Sequence, residues 1–284
     1  MRRQLIAGMP NSGKSTFIAA LRHLLLAKQV DSKLEITELS DEEGHLSRLE
    51  EKWLACETID RTKPATEGWV QLKIMDTETK IASELSIPDL RGEAFEQPAC
   101  MGKCHPDLLR ALQESDGLLL FSNADRNDDN LLIEDLQDMF PPEGDEGDDD
   151  GALIEPTLPF RAENMPEEVK IIEFLQVANR RPRPAKKRRI AVLISAWDVV
   201  SEQNSDTPPE IWFAENRPML SQFLEANSEL WDAKIYGVSA LGGRLPRDKE
   251  LLERIKHPSE RIRIVGHGAL PHDLSAPLHW LISS

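Results

Sequence analysis

Apolar residues in this chain fall into short runs and helical repeats that alternate along most of its length. Arg3 to Ala7 reads as a buried strand, and directly after it Phe17, Ile18, Leu21, Leu24 and Leu25 recur at helical spacing, which predicts an amphipathic helix. Leu34-Glu35-Ile36-Thr37 alternates weakly, and Leu46, Leu49, Trp53 and Leu54 suit a second amphipathic helix. Val70, Leu72 and Ile74 alternate with polar residues between Trp69 and Met75, which predicts a strand; Ile81 to Ile87 reads as its hairpin partner across a turn at Asp76 to Thr79. Leu108, Leu109 and Leu112 again follow helical spacing, as do the apolar residues from Val169 to Val177. Gly117 to Phe121, Ile190 to Ile194 and Lys234 to Val238 read as fully buried strands. Thr207 is predicted to cap a helix with Pro208 at its first position and Glu210 closing a capping box. Pro218 should break or kink that helical stretch, and Ser275 should cap a last short helix through Pro277, Leu278, Trp280 and Leu281. Strands and helices in this order predict an α/β fold, a mostly parallel sheet flanked by helices with one antiparallel hairpin strand.

Polar stretches interrupt the pattern. Asp60 to Thr66 contains Pro64 and reads as a loop. An acidic insertion is expected over about 126–165; its centre, Pro141 to Gly151, has almost nothing to bury and lacks the spacing of a calcium loop. A basic linker is expected over about 180–189. With these two segments set aside, residues 1–284 read as a single domain.

Composition narrows the setting. A 40% hydrophobic content suffices for a sizeable core, while a formal charge of -16 argues against a nucleic-acid backbone as partner. No apolar run reaches the length of a transmembrane segment, no signal-peptide pattern is present, and three cysteines make no disulfide framework, so a cytoplasmic setting is expected. Cys100, Cys104 and His105 fit neither a haem attachment nor a zinc knuckle, and no metal is expected there.

The candidate chemistry lies between the first strand and the first helix. Gly8-Met9-Pro10-Asn11-Ser12-Gly13-Lys14-Ser15-Thr16 matches G-x-x-x-x-G-K-[ST], the Walker A phosphate loop. The two glycines let backbone N–H groups approach a phosphate, Lys14 reaches its charge, Ser15 offers a hydroxyl to Mg²⁺, and the helix N-terminus favours the anion. Farther on, Asp89-Leu90-Arg91-Gly92 follows a strand end, Asp198 stands just past another, and Ser239-Ala240-Leu241 closes a third.

In this order the motifs resemble a TRAFAC-class P-loop GTPase domain, and more narrowly the bacterial double-GTPase group, whose members occur beside other GTPase-like proteins in conflict or defence gene clusters. The strongest parts of the likeness are Gly8 to Thr16, Arg61 to Pro64, Asp89 to Gly92 and Pro277 to Leu281. The resemblance implies a three-layer GTPase-type fold that binds GTP or GDP with Mg²⁺, hydrolyses GTP slowly and switches conformation for a protein partner, another GTPase-like or effector protein. By position, Gly8, Asn11, Ser12, Gly13, Lys14, Ser15 and Thr16 would hold the phosphates. Ser15, Thr66 and Asp89 would hold Mg²⁺, with Thr62 as the alternative to Thr66, and the Gly92 N–H would meet the γ-phosphate. Asp198 would accept from the guanine ring, and Ser239 and Ala240 would close the base site, Ala240 through its N–H. Lys14, Thr66, Glu93 and Arg61 would act in catalysis, Arg61 in cis. The chain departs from the family pattern twice. Ala196 occupies the usual lysine position of the base box, with Trp197 as the alternative cover, which leaves an ATPase open. Glu93 stands where glutamine orients water, which leaves a nucleotide-locked binding module open.

Overall fold

In the computed structural model, residues 1–38, 43–59, 69–88, 93–125, 165–179 and 187–283 are described. Their strands are β1 (Arg2–Gly8), β2 (Leu34–Glu38), β3 (Trp69–Asp76), β4 (Ala82–Pro88), β5 (Gly117–Asn123), β6 (Arg188–Ser195), β7 (Trp231–Ser239) and β8 (Arg263–Val265). They form one 8-stranded sheet in the order β2-β3-β4-β1-β5-β6-β7-β8. β1 pairs parallel with β4 and β5, and β5-β6-β7 continue parallel. These central strands are the near-continuous apolar runs of the sequence, as burial on both faces requires. The expected hairpin is present, with Leu72 opposite Leu85. Beyond it β2 pairs antiparallel with β3. At the other edge β8, which comes after the short helix α9 (Lys249–Glu253), pairs antiparallel with β7.

One face of the sheet carries α1 (Lys14–Ala27), α2 (Glu43–Leu54) and α10 (Ala276–Ile282), which pack Phe17, Leu21, Trp53 and Leu278 against Ile6 and Leu193. The other carries α3 (Glu93–Met101), α4 (Pro106–Glu114), α5 (Glu167–Asn179) and α8 (Pro218–Ala226), which pack Phe95, Leu108, Phe174 and Leu220 against Leu5 and Ala7. This is a three-layer α/β arrangement. All of the parallel strands end at one edge of the sheet, which places Gly8, Asn123, Ser195 and Ser239 side by side there. Ligands of open α/β sheets bind at that edge. Among the described residues no helix is long and apolar enough to cross a membrane.

Local expectations are corrected at several points. The helix α7 (Pro209–Asn216) starts one residue later than expected, with Pro208 extended at ψ 141° as its N-cap. A residue before proline is pushed out of the helical region, so Pro208-Pro209 moves the first position to Pro209 and leaves Thr207 outside. Glu210 closes no capping box; its Oε1 lies 3.1 Å from His267 Nε2. Ser275 does stand at the N-cap of α10, but its hydroxyl bonds to Asp273 and Ser32 instead of a helix N–H. Pro218 acts as expected, separating α7 from α8.

Residues 126–164 and 180–186, hence most of the acidic insertion and the basic run, lie outside the described residues. The last two arginines of the basic run belong to β6 and not to a linker. Arg188 is buried, donates to Leu112 O (3.2 Å) and Ala178 O (2.9 Å), and lies 4.4 Å over the Trp231 ring. Arg189 donates to the Trp280 and Ser283 carbonyls at the end of α10.

The β3–β4 turn is tied to α10 by a fully buried carboxylate. Asp76 Oδ1 accepts from Glu78 N (2.8 Å) and Thr79 N (2.9 Å), and Oδ2 lies 3.2 Å from His279 Nε2. Burial alone would push this carboxyl up, but the Thr79 and Glu78 N–H groups and His279 hold it below its ordinary value. A depressed folded-state value stabilises the fold above the unfolded value and loses that contribution as the pH falls through the folded one. In urea unfolding, the stability margin of wild type over Asp76→Asn should therefore be full above about pH 4 and shrink below it. A margin that grows on acidification contradicts this account.

Candidate functional site

β1 ends at Gly8 and α1 begins at Lys14, so the loop between them stands at the ligand-binding edge of the sheet. Its path depends on missing side chains. Gly8 has φ 152°, and a Cβ there would fall 2.8 Å from Ser12 Oγ and 2.9 Å from Phe121 O. Gly13 has φ 87°, and a Cβ there would fall 2.9 Å from Ser195 Cβ. Positive φ and this close approach admit only glycine without strain. Asn11, at φ 59°, turns the chain between them, as asparagine tolerates.

Lys14 lies back over the loop that precedes it. Its Nζ donates to Gly8 O and Met9 O, both at 2.7 Å, and to Ser12 Oγ at 3.1 Å. The ammonium also lies 5.5 Å from the centre of the Phe95 ring. α1 runs 14 residues, has no side-chain cap at Gly13 and no acidic residue in its first turn. The N-terminus of such a helix, with its dipole, favours an anion. Ser15 is half-buried, and a hydroxyl at this position of the loop suits a group offered to a cation. Thr16 is half-buried beside it.

Behind the loop lies a support that the sequence reading missed. Asn123 Nδ2 donates to Asn11 O at 3.1 Å. Asn123 is held in turn by Arg217, whose Nη2 donates to its carbonyl at 2.8 Å while Nε donates to Ser122 Oγ at 3.1 Å. Nη1 donates to Asn216 O at 2.7 Å, and the guanidinium lies 5.4 Å from the Trp212 ring. Arg217 is 1% exposed. This cation, set by the break before Pro218, fixes the end of β5 against which the loop rests. Nothing local to Arg217 or Asn123 in the sequence signals the contact, since their partners come from other elements.

The second half of the site is built on the ends of β6 and β7. Ser195 ends β6 and touches the loop at Gly13. The next residue, Ala196, has φ 54° and starts α6 (Trp197–Gln203), which puts Asp198 in the first turn. Ser239, the last residue of β7, donates to Asp198 Oδ1 at 2.6 Å and accepts from Gly242 N at 3.1 Å. The Ala240 carbonyl accepts from Trp53 Nε1 at 2.9 Å. Trp197 does not offer its ring as a cover. It is 2% exposed and lies flat on Gly237, where a Cβ would fall 2.2 Å from its Cδ2. Of the two readings of Trp197, core packing is the one the fold adopts.

Arg61, Thr62, Thr66, Asp89 and Gly92 lie outside the described residues. Glu93 opens α3, and its side chain is likewise outside them. Trp69, which follows the first of these segments, and Pro88, which precedes the second, pair across β3 and β4. Cys104 and His105 lie between α3 and α4, where His105 Nδ1 accepts from Asp107 N at 3.3 Å and so caps α4. Burial pushes the Cys104 thiol up.

The sequence model of the Double-GTPase 1 family matches residues 5–281. No curated protein matches the chain. Among solved structures, the chain is similar to the GTP-bound crystal structure of the S. cerevisiae Ski7 GTPase-like domain, at 14% identity and a TM-score of 0.43 over 99% of this chain and 49% of that one. It is similar to Sup35 complexed with GDP at 14% identity and a TM-score of 0.35, over 86% of this chain and 38% of that one. It is similar to GDP-bound Methanosarcina barkeri Roco2 RocCORdC at 11% identity and a TM-score of 0.28, over 90% and 50%. The chain spans half or less of the length of each.

Removing the buried guanidinium should be costly, because its carbonyl and hydroxyl acceptors would be left without a donor. Arg217→Met is expected to lose about 2–4 kcal/mol of unfolding free energy in urea. Arg217→Lys should recover only part of it, since an ammonium cannot reproduce the planar fork. A loss within about 0.5 kcal/mol, the range of an ordinary surface change, contradicts the supporting role.

Proposed function

The chain belongs to the Double-GTPase 1 family and is, at that level, a GTP-binding protein; from its site we propose a Mg²⁺-dependent GTPase that hydrolyses GTP slowly to GDP and acts as a conformational switch. The observation that carries this reading is the contact of Gly13 with Ser195, which joins the phosphate loop to the strand leading into Asp198. A phosphate-binding element and a carboxylate suited to a base N–H thereby belong to one site.

In this reading the N–H groups from Asn11 to Thr16 and the Lys14 ammonium take the phosphates, so Lys14 exchanges the Gly8 and Met9 carbonyls for phosphate oxygens. Ser15 would hold Mg²⁺ together with Thr66 and Asp89. The ion, when bound, offsets charge on the β- and γ-phosphates. Asp198, oriented by Ser239, accepts from the guanine N–H groups, and Ala240 offers its N–H to the guanine oxygen. Arg61 supplies positive charge in cis, and Gly92 binds the γ-phosphate. Glu93 brings a negative charge toward a centre that is itself becoming more negative, which makes turnover slow. The switch serves a protein partner, another GTPase-like or effector protein.

A second reading is favoured by one observation. Ala196 has no stem to cover the base and Trp197 is committed to the core, so base recognition rests on Asp198 and the backbone. This favours weaker discrimination between guanine and adenine, and in the limit an ATPase.

Titration of wild type with labelled GTP, GDP and ATP in Mg²⁺ separates the readings. GTP should bind at least about tenfold more tightly than ATP, from one half-buried acceptor, Asp198, mismatched by adenine. Lys14→Ala should weaken GTP by about 10–100-fold, the worth of a charge-assisted hydrogen bond. Equal affinities for GTP and ATP contradict the guanine assignment. Phosphate release no faster than in Lys14→Ala contradicts turnover and leaves a nucleotide-locked module.

A further inference from the structure

The loop that closes the base site is held from outside by a tryptophan far away in the chain. Trp53, on the last turn of α2, is fully buried, and its Nε1 donates to Ala240 O across 187 residues. Its ring packs against two other side chains, with the His23 ring centre at 5.3 Å and the Arg261 guanidinium at 5.4 Å. Arg261 is buried as well. Its Nη1 donates to Trp53 O and Leu54 O, both at 3.3 Å, and to Cys56 Sγ at 3.0 Å, closing the C-terminal end of α2. The indole therefore has little freedom to turn, and its one polar atom is aimed at one residue.

That residue is the one whose backbone matters in the base site. Ser239, before it, is fixed by Asp198, and the Gly242 N–H after it is fixed on the Ser239 hydroxyl. Between these anchors, Ala240 has its peptide planes set on one side by the end of β7 and on the other by the bond from Trp53. Removing that bond leaves the second plane without its one side-chain restraint and the Ala240 carbonyl without that donor. Core packing alone asks only for an apolar ring at position 53, and a buried indole N–H needs some acceptor. The particular acceptor places the effect in the base loop.

We propose that Trp53 is a positioning residue for base recognition: by holding Ala240 O it orders the Ser239 to Gly242 loop so that the Ala240 N–H faces the purine oxygen. This rests on the guanine-nucleotide reading above. The expected signature is a loss of base selectivity without a loss of phosphate affinity, because the phosphate loop lies on β1 and α1 and none of its described hydrogen bonds involves Trp53.

The test is Trp53→Phe, which keeps an aromatic ring in the core and removes the donor together with part of the ring volume; the volume loss would act on all ligands alike, so the ratio of affinities reads the donor. Affinities for GDP, ADP and pyrophosphate are measured in Mg²⁺ for wild type and variant, with thermal unfolding to confirm that both are folded. The variant should bind GDP about three- to tenfold more weakly, the range for one net hydrogen bond, with ADP and pyrophosphate unchanged. An unchanged ratio of GDP to ADP affinity overturns the proposal, as does an equal loss for all three ligands, which is the mark of a structural role. A wild type that binds GDP and ADP alike overturns the guanine reading itself and the proposal with it. If Trp53→Phe does not fold, Arg261→Gln, which loosens the end of α2 behind the indole, carries the same expected ratios and the same overturning results.

Discussion

Two positions without a side chain decide where everything else in the site can be. The backbone at Gly8 passes so close to Phe121, and at Gly13 so close to Ser195, that a Cβ at either would sit inside van der Waals contact. The loop therefore rests directly on the ends of β5 and β6. Because of that contact, the N-terminus of α1 opens beside the strand that delivers Asp198. A ligand holding phosphate at one end and a hydrogen-bonding ring at the other finds both sets of groups along one edge of the sheet.

The loop and the base box are backbone structures, and backbone at the edge of a sheet is free to move unless something holds it. In this chain two of the holding groups, Arg217 and Trp53, are buried donors from outside the motifs. Arg217 fixes Asn123, which fixes the loop at Asn11. Trp53 fixes Ala240, and Ser239 fixes Asp198. Arg217 and Trp53 each carry a donor that would be costly to bury without an acceptor, so the folded core and the order of the site reinforce each other.

This division explains what could be read from the sequence. The order of strands and helices, and the loop itself, were legible because their signals are local: an apolar run, a fixed glycine–lysine spacing, then apolar residues at helical period. Asp198 and Ala240 could be placed because each follows a buried strand at once. β8 was missed because three residues are too few to show a period. Thr207 misled because two consecutive prolines compete for the first helical position and only the second can take it. The alternatives for Trp197 could not be separated without knowing that Gly237 leaves room for its ring. Trp53 was legible as an apolar position of a helix, but its bond to Ala240, like the bond from Arg217 to Asn123, carried no signature, since a contact across 94 to 187 residues leaves no pattern along the chain.

The central claim is that phosphate binding depends on close contact between the loop and the end of β6 at Gly13. Calorimetric titration of GDP into Gly13→Ala in Mg²⁺, beside wild type, tests it most directly. A Cβ at that φ and that distance from Ser195 should weaken binding by about tenfold or more, from roughly 1–3 kcal/mol of local strain, while the chain stays folded. Wild-type affinity in a folded Gly13→Ala protein would contradict the claim.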